Sequence, residues 1–487
     1  MEAEADKKEG RNSYKSILKG TSVFGGVQVF QIGINLIRGK FVAMFLGPTG
    51  MGIASLFNTS GMTLQQFASL GLNLGIVKEV AAHKEDRESM GALLATTRRL
   101  LLFTSLFGAL LCVALAMPLS RLTFGNYDYS WQFVLLGAMI FFGVAGQGYL
   151  SILQGLHAVR LVSITTITGS LAGLLIGVPL YYLMGTKGIV PAMVVLAFST
   201  LTAAWIGVRK AVKAPRVRFD RALHSPLVRK LFLMGIVLVA SDVIGTGCNY
   251  LVNLFIRTFG ALENVGLFQA ANSVTNQYSG VVFTAMMLDF FPRLSEAAQD
   301  NAKIRTIVNR QLEIVSLVAC PLICLLILTS PLVISILLTD SFLPILPLMR
   351  WLGLGVMIKA LMFPLGYIAF AKDNRKLFFW LEGVFGNLLF LCLSCGAYYL
   401  FGLIGLGYSL IADCVICFIV YYLVNSRLYG YSLSGKAVAE GIVAILLATG
   451  CFVCSFISSV PLSYGLMAFI SLAAIARSAV ILRRKLR

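Results

Sequence analysis

Long apolar stretches divide this chain, and its positive charges alternate between the short segments that connect them. The chain has 40 Lys and Arg residues, and most of those outside the apolar stretches occur in every second loop and at the two termini. The intervening loops hold only Arg121 and Lys187. Cationic loops stay in the cytoplasm when a membrane protein inserts. The alternation therefore predicts a polytopic membrane protein with both termini in the cytoplasm.

The apolar stretches are long enough to cross a bilayer as helices. The chain is 58% hydrophobic and only 13% charged, with a mean hydropathy of +0.85. About 20 apolar residues are needed for a helix to cross the hydrocarbon, whereas membrane barrels use shorter alternating strands. We predict fourteen spanning helices, over residues 20–46, 51–80, 98–118, 131–153, 162–184, 188–208, 231–257, 265–291, 308–338, 345–370, 377–400, 402–425, 437–457 and 462–482. The predicted fold class is an all-α polytopic membrane protein.

Composition also argues against several kinds of activity. The net charge of +19 is explained by loops that face anionic lipid headgroups, and no basic soluble domain is available to bind nucleic acid. The ten cysteines lie inside apolar helices, where they act as small packing residues. We expect no cleavable signal peptide, because the first apolar run is a full-length span. The longest outer loop, 119–130, carries only Arg121 and Asp128, so we expect no enzyme and no cofactor.

The predicted helices fall into two related halves and an extension. A basic linker, 209–230, separates an N-lobe (20–208) from a C-lobe (231–425). Helices thirteen and fourteen (437–482) lie outside the halves, and short cytoplasmic tails cover 1–19 and 483–487. The turns between the first two helices of each half share a Gly-to-Asn spacing of six residues. The glycines and asparagines concerned are Gly47, Gly52 and Asn58 in one half, and Gly260, Gly266 and Asn272 in the other. Such a repeat predicts a substrate site between parallel halves.

Polar side chains follow one face of each helix in the first pair of both halves. They are Gln28, Gln31, Asn35 and Arg38; Asn58, Gln65, Ser69 and Asn73; Asp242, Thr246, Asn249, Asn253 and Arg257; and Gln269, Asn272, Ser273 and Asn276. At 100° per residue the first set spans an arc of about 80°. Such faces line a protein interior or a water-filled cavity. The alternative is hydrogen bonding that only holds the helices together, and for the amides both interpretations stay open.

Arg38 is the most informative charge, because a guanidinium near mid-bilayer requires a partner. The first six spans contain no carboxylate at membrane depth to supply one, so an acid from the C-lobe or an anionic ligand is expected. Lys40 and Arg257 are further candidate cations, although both can reach the outer interface. Lys359 is an intramembrane cation in span ten. These four cations, with the amides Gln31, Asn35, Asn58, Asn249, Asn253 and Asn272, form the predicted substrate-binding set.

The intramembrane carboxylates occur in the second half of the chain. Asp242 and Asp413 lie near mid-membrane by residue count and are candidate proton or sodium sites. Asp289, Glu313 and Glu382 lie near the cytoplasmic ends of their helices. For these three, pairing with Lys359 or Arg310 as a gate or brace is an equally good interpretation, and we assign Asp289 and Glu382 to gating.

Several short motifs resemble one transporter group. Phe291-Pro292-Arg293-Leu294-Ser295-Glu296 resembles a signature of the multidrug/oligosaccharidyl-lipid/polysaccharide exporter superfamily. The stretch from Lys359 through Pro364–Ile368 to Glu382 is similar to bacterial O-antigen (Wzx-type) flippases, as is Phe45–Pro48 with Gly50 and Gly52. The resemblance covers spans one to twelve. Members often have twelve spans, and the related lipid II flippases have fourteen.

The resemblance implies two six-helix lobes around a central cavity that is open alternately to each side. It also implies transport of undecaprenyl-pyrophosphate-linked oligosaccharide from the cytoplasmic to the periplasmic leaflet of the bacterial inner membrane. The intramembrane carboxylates add H⁺ or Na⁺ coupling as a further expectation. Expected partners are that lipid-linked oligosaccharide, membrane lipids and polysaccharide assembly proteins. The alternative is a cation-coupled multidrug exporter of the same superfamily, which would need carboxylates in its cavity. Asp242 and Asp413 keep that alternative open.

Overall fold

A computed structural model describes residues 2–83, 87–212 and 221–486. Within these ranges, side chains are described except at 2–25, 28–29, 87–88, 221–230, 232–238, 278–279, 281–282, 284–289 and 485–486. The described chain is helical throughout, with short turns between helices. The predicted all-α fold class is therefore confirmed.

The chain divides into two compact units. Unit 1 contains Met1–Leu46 and Leu56–Thr246, and unit 2 contains Gly47–Ser55 and Gly247–Arg487. The helices up to the boundary are α1 (Glu2–Ser69), α2 (Leu72–Ala82), α3 (Arg87–Ala114), α4 (Ala116–Phe124), α5 (Ser130–Gly155), α6 (Val159–Leu175), α7 (Gly177–Met184), α8 (Ile189–Ala211) and α9 (Arg221–Phe259). The boundary falls inside α9, between Thr246 and Gly247.

Unit 2 continues with eight α-helices and one π-helical segment. They are α10 (Leu262–Glu296), α11 (Asn301–Leu337), α12 (Leu346–Ala371), α13 (Arg375–Phe378), the π-helix Phe379–Gly386, α14 (Asn387–Phe401), α15 (Gly405–Tyr429), α16 (Gly435–Cys454) and α17 (Val460–Leu486). In this unit α12 packs against α10, α11, α15 and α16, while α14 packs against α15.

Ten helical segments among the described residues are long and apolar enough to cross a membrane. Three of them, Phe30–Ser69, Val159–Ala211 and Arg375–Tyr429, each contain two predicted spans. The segments thus account for thirteen predicted spans, and the 35-residue helix α10 covers the remaining one. The helix α9 begins at Arg221, within the predicted linker 209–230.

The backbone departs from helical geometry at two places, within α1 and between α1 and α2. Gly47 has φ 64° and ψ −171°, a conformation for which glycine is strongly favoured, and Pro48 follows it. The second break, at Leu70 (φ 47°) and Gly71 (φ 80°), separates α1 from α2. The predicted span 51–80 is therefore interrupted, since helix geometry stops at Ser69 and resumes at Leu72.

The end of unit 1 that contains α2 has its own apolar core. Side chains of α2, α3 and α5 meet there, among them Leu72, Ile76 and Leu93. Glu79 is only 1% exposed beside this core and lies 3.8 Å from His83 Nδ1. Glu79 lies at the end of the predicted span 51–80, so it is buried in the protein without being a carboxylate near mid-membrane.

The last two helices pack onto the rest of unit 2. Both α16 and α17 contact α11, and α16 also contacts α12. The guanidinium of Arg477 on α17 donates to a carboxylate oxygen of Glu440 on α16, and both side chains are about three-quarters buried or more. Cys451 Sγ lies 3.6 Å from the carbonyl oxygen of Cys324 between α16 and α11. The predicted packing role of these small side chains is consistent with that close approach.

Candidate functional site: a polar cavity in unit 2

Unit 2 encloses a cavity of about 440 Å³ between five membrane helices. Its wall is formed by α9, α10, α12, the segment from the π-helix to α14, and α15. Polar side chains occupy much of that wall although the helices themselves are strongly apolar. They are Asn249, Asn272, Thr275, Asn276, Lys359, Glu382, Asn387, Ser394, Asp413 and Tyr421. A polar wall at this depth marks a candidate binding site.

Glu382 reaches the cavity from the π-helical segment Phe379–Gly386. A π-helix closes its backbone hydrogen bonds between residues five apart, and such segments are frequent at functional sites. Asn387 Nδ2 donates to the carbonyl oxygens of Glu382 and Gly383 at 3.0 Å each. The local distortion thus has a specific support, and it places an acidic side chain inside the bundle.

Tyr421 holds the Glu382 carboxylate from the neighbouring helix α15. The phenol donates to Oε2 of Glu382 over 2.5 Å, a short charge-assisted bond. One turn further on, Asn425 Nδ2 donates to the carbonyl oxygens of Leu365 on α12 (3.0 Å) and Tyr421 (2.8 Å). Glu382 and Tyr421 are therefore fixed by contacts among α12, α15 and the π-helix.

Lys359 and Asp413 complete the charged side of the cavity. Lys359 lies near the middle of α12, and Asp413 lies near the middle of α15. The Lys359 ammonium acts electrostatically on both Asp413 and Glu382. Among the described residues it has no carboxylate oxygen within ion-pair distance. These three groups therefore carry a net negative charge when Lys359, Glu382 and Asp413 are all ionised.

This arrangement corrects the predicted pairing of Glu382. The sequence suggested a brace to Lys359 or Arg310, but the hydrogen-bond partner is Tyr421. Arg310 lies near the start of α11 and lines a different pocket. Asp289 was assigned to gating with Glu382, and its side chain lies outside the described residues.

Amide side chains form the other part of the wall. Asn249 on α9 and Asn272 on α10 line the cavity. Asn276 Nδ2 donates to Asn272 Oδ1 over 2.8 Å, so two amides one turn apart act together. Amides both donate and accept, which suits ligands that carry hydroxyl groups.

Asn253 lies on the same polar face of α9 as Asn249 but has a different environment. It is 3% exposed, and its Nδ2 contacts Ser55 Oγ at 3.4 Å. Ser55 Oγ in turn donates to Gln269 Oε1 at 3.2 Å, and Gln269 Nε2 donates to Ser273 Oγ at 3.1 Å. This chain of contacts favours the alternative in which polar groups hold helices together.

Two glycines of the predicted repeat, Gly52 and Gly266, lie against each other in unit 2. A Cβ atom built on Gly266 would lie 1.8 Å from the carbonyl oxygen of Pro48. A Cβ atom on Gly52 would lie 2.2 Å from the carbonyl oxygen of Leu262. The two backbones therefore touch directly at Gly52 and Gly266, the equivalent glycines of the repeat.

Several predicted residues lie in unit 1. Gln31, Asn35 and Arg38 are partly buried on α1, and Arg38 is within electrostatic range of the Tyr181 phenol. Asn58 is exposed, and its amide contacts Met62 Sδ at 3.6 Å. No described carboxylate is within ion-pair distance of Arg38, and its predicted role stays a prediction.

The remaining predicted charges have separate surroundings. Lys40 and Arg257 are partly buried, and each takes part in an interaction within the protein. Asp242 is exposed on α9, and its backbone carbonyl accepts a hydrogen bond from Thr246 Oγ1 at 2.9 Å. Their roles also stay predictions.

The sequence analysis missed Tyr421 and Asn387. A signal for Tyr421 was present, because Asp413, Cys417, Tyr421 and Asn425 recur every fourth residue on α15. Asn387 gave no such signal, since its role depends on the π-helical geometry.

The fold is that of a multi-pass membrane protein with a polar cavity among the helices of unit 2. The family model described as "Polysaccharide biosynthesis protein" matches residues 17–298, which is more than half of the chain. The chain belongs to that family, and the predicted resemblance to Wzx-type members of the exporter superfamily is confirmed.

A curated relative and two solved structures extend this result. The chain is 24% identical over 370 residues to the lipid III flippase of Escherichia coli (strain K12), covering 74% of this chain and 87% of that protein. Its fold is similar to the lipid II flippase MurJ in an inward closed conformation, with a TM-score of 0.71, 12% identity, and coverage of 96% and 99%. An inward-facing multidrug resistance transporter of the MATE family gives a TM-score of 0.69 at 16% identity, with coverage of 83% and 98%.

Proposed function

We propose that this protein is a flippase for lipid-linked oligosaccharide. It moves an undecaprenyl-pyrophosphate-linked repeat unit, such as an O-antigen unit, from the cytoplasmic to the periplasmic leaflet of the bacterial inner membrane. Family membership and the similarity to a lipid III flippase support this substrate class. Alternating access is the expected mechanism, and it requires no covalent step.

The observation that carries the proposal is a lysine ammonium in an amide-lined cavity inside apolar helices. A diphosphate is a strong acceptor for an ammonium group in a site of low dielectric constant. The paired amides Asn272 and Asn276, with Asn249, offer donors and acceptors for sugar hydroxyls. The sequence-based assignment of Arg38, Lys40 and Arg257 to an anionic headgroup stays a prediction.

We further propose that Glu382 and Asp413 couple transport to an H⁺ or Na⁺ gradient. Among the described residues of the cavity wall, the two carboxylates share the space with one cation, Lys359. A buried excess of negative charge is costly, so the site favours uptake of one monovalent cation. A bound diphosphate would compete for the same ammonium and make that uptake more favourable. Asp242 stays a second candidate for this role.

The test of the binding site is transport by charge-neutralised variants. We expect Lys359→Gln to lower the flipping of a fluorescent undecaprenyl-diphosphate sugar in proteoliposomes by about 10- to 100-fold, as expected for a lost charge-assisted contact. Lys187→Gln is the matched control, since Lys187 is an exposed cation at a predicted outer loop. Full activity of Lys359→Gln would overturn the cavity assignment. Full activity of Arg38→Ala would remove Arg38 from the binding set.

The coupling proposal has a separate readout. With an imposed ion gradient, wild-type transport should be faster than without one. We expect Glu382→Gln and Asp413→Asn to lose that stimulation while they keep gradient-independent flipping. A gradient response that survives in both variants would rule these carboxylates out as the coupling groups.

A second candidate function is cation-coupled multidrug export. Its support is the pair of carboxylates in the cavity, because acidic groups bind organic cations. Ethidium efflux from cells that express the protein, lost in Asp413→Asn or Asp242→Asn, would favour this function. Efflux equal to that of cells lacking the protein would argue against it.

A further inference from the structure

A second pocket lies at the end of unit 2 that is predicted to face the cytoplasm. It has a volume of about 710 Å³ and lies between the start of α11 and the turn that joins α15 to α16. Arg305 and Arg310 line it from α11, and Lys436 lines it from α16. Among the described residues, this pocket shares no lining residue with the polar cavity of unit 2 described above.

The pocket is built by one buried side chain. Asn309 is 5% exposed, and its Nδ2 donates to the carbonyl oxygens of Arg305 (2.8 Å) and Ser432 (3.0 Å). Its Oδ1 accepts from the Ser434 backbone N–H at 2.9 Å and lies 3.4 Å from the Tyr431 hydroxyl. Every polar atom of this amide is thus used to hold the α15–α16 turn against α11. The shape of the pocket does not depend on a ligand.

The charge of the pocket favours an anion. Arg305, Arg310 and Lys436 are exposed, whereas Glu313, the one acidic residue among the described residues of the lining, is partly buried. Counting formal charges, the lining carries a net charge of about +2. Within the described parts of the chain, no carboxylate oxygen lies within ion-pair distance of those three cations.

The surroundings of the pocket indicate a lipid instead of a soluble anion. The span predicted to enter the hydrocarbon at residue 308 begins between Arg305 and Arg310, so the pocket lies at headgroup depth. Tyr429 lines it, and aromatic residues are enriched at this interface. The large apolar side chains Ile314 and Leu428, each adjacent in sequence to a lining residue, are 41% and 56% exposed. They offer a surface for acyl chains.

We propose that this pocket binds the phosphate headgroup of an anionic lipid in the leaflet on that side. The phosphate is held by Arg305, Arg310 and Lys436, and the acyl chains lie along Ile314 and Leu428. The headgroup chemistry is that of a phosphodiester or a lipid diphosphate. Lipid binding in this pocket does not depend on which substrate binds in the polar cavity of unit 2.

The experiment measures lipid binding to the purified full-length protein by native mass spectrometry. Phosphatidylglycerol, phosphatidylcholine and inorganic pyrophosphate are titrated separately. We expect phosphatidylglycerol to bind at least tenfold tighter than phosphatidylcholine. In the triple variant R305Q/R310Q/K436Q, this affinity should fall on the order of 100-fold, at about fivefold for each lost charge.

A matched control distinguishes a built pocket from diffuse positive charge. The variant K78Q/R98Q/K376Q removes the same number of exposed cations without touching the pocket, and we expect wild-type affinity from it. Equal losses in the two triple variants would overturn the proposal. So would a pocket triple variant that binds like the wild type.

Two further measurements address the structure of the pocket and the source of the phosphate. Asn309→Ala leaves the charge unchanged but releases the turn, so we expect several-fold weaker binding of phosphatidylglycerol. Unchanged binding in this variant would contradict an organised pocket. Inorganic pyrophosphate that binds as tightly as the lipid, and is lost in the same triple variant, would overturn the lipid assignment in favour of a soluble anion.

Discussion

Replacing Gly266 with alanine should separate two backbones of unit 2 that now touch. The added Cβ would lie 1.8 Å from the Pro48 carbonyl oxygen and 2.8 Å from the Gly52 nitrogen. Both neighbours are backbone atoms, so no side chain can rotate away to make room. The segment Gly47–Ser55 must therefore move away from the start of α10.

The size of the effect follows from the required displacement. Ordinary van der Waals contacts of a Cβ begin near 3.4 Å, so the backbones must separate by more than 1 Å at Pro48. Overpacking of this kind typically costs about 1–3 kcal/mol. Such a cost shifts the ratio of docked to undocked segment by about 5- to 150-fold. The Ser55 contacts with Asn253 and Gln269 would weaken at the same time.

Hydrogen–deuterium exchange of the purified protein measures this change. We expect amides at the start of α10 to exchange up to about 150-fold faster in Gly266→Ala than in the wild type, because local opening becomes easier. Gly280→Ala is the control on the same helix, since a Cβ there meets no atom within 4 Å. Identical exchange at the start of α10 in both variants would refute the close backbone contact.

Further substitutions test other contacts. Tyr421→Phe removes the 2.5 Å bond to the cavity glutamate. We expect it to destabilise the protein by about 1–3 kcal/mol in thermal unfolding in detergent, and an unchanged melting temperature would contradict that bond. Arg477→Gln should destabilise the packing of α16 on α17 by about 1–2 kcal/mol, with recovery in the double variant with Glu440→Gln. A double variant as unstable as the single one would argue against the ion pair. The Lys303 and Ala302 backbone N–H groups hold the pKa of Asp300 below its ordinary value. At pH 7, Asp300→Ala should therefore be less stable than the wild type. This difference in stability should disappear as the pH falls through the lowered pKa, because the carboxylate then becomes protonated. A difference that does not depend on pH would contradict these hydrogen bonds.

Much of the fold could be predicted because a bilayer constrains each helix locally. The apolar length needed to cross the hydrocarbon is visible residue by residue, and each of the fourteen predicted spans overlaps a helical segment. The span 51–80 is interrupted at Leu70 and Gly71, which have positive φ. No local composition signal distinguished that break from an ordinary glycine in a helix.

The site was predictable in its components but not in their arrangement. Asn249 and Asn253 are four residues apart on one helix face, yet Asn249 lines the cavity and Asn253 is buried against Ser55. A helical repeat gives the direction of a side chain around its own axis. It does not say which neighbouring helix stands opposite at each level.

By itself, the amino-acid sequence determined that the chain is a multi-span helical protein with intramembrane charges, because hydrophobic length and charge placement act within single helices. Only the tertiary structure decided that Glu382 bonds Tyr421 while it shares a cavity with Lys359 and Asp413. These side chains come from three separate segments, and their meeting depends on the rotation and packing of each helix. That packing is a property of the whole bundle and leaves no local pattern in any one segment.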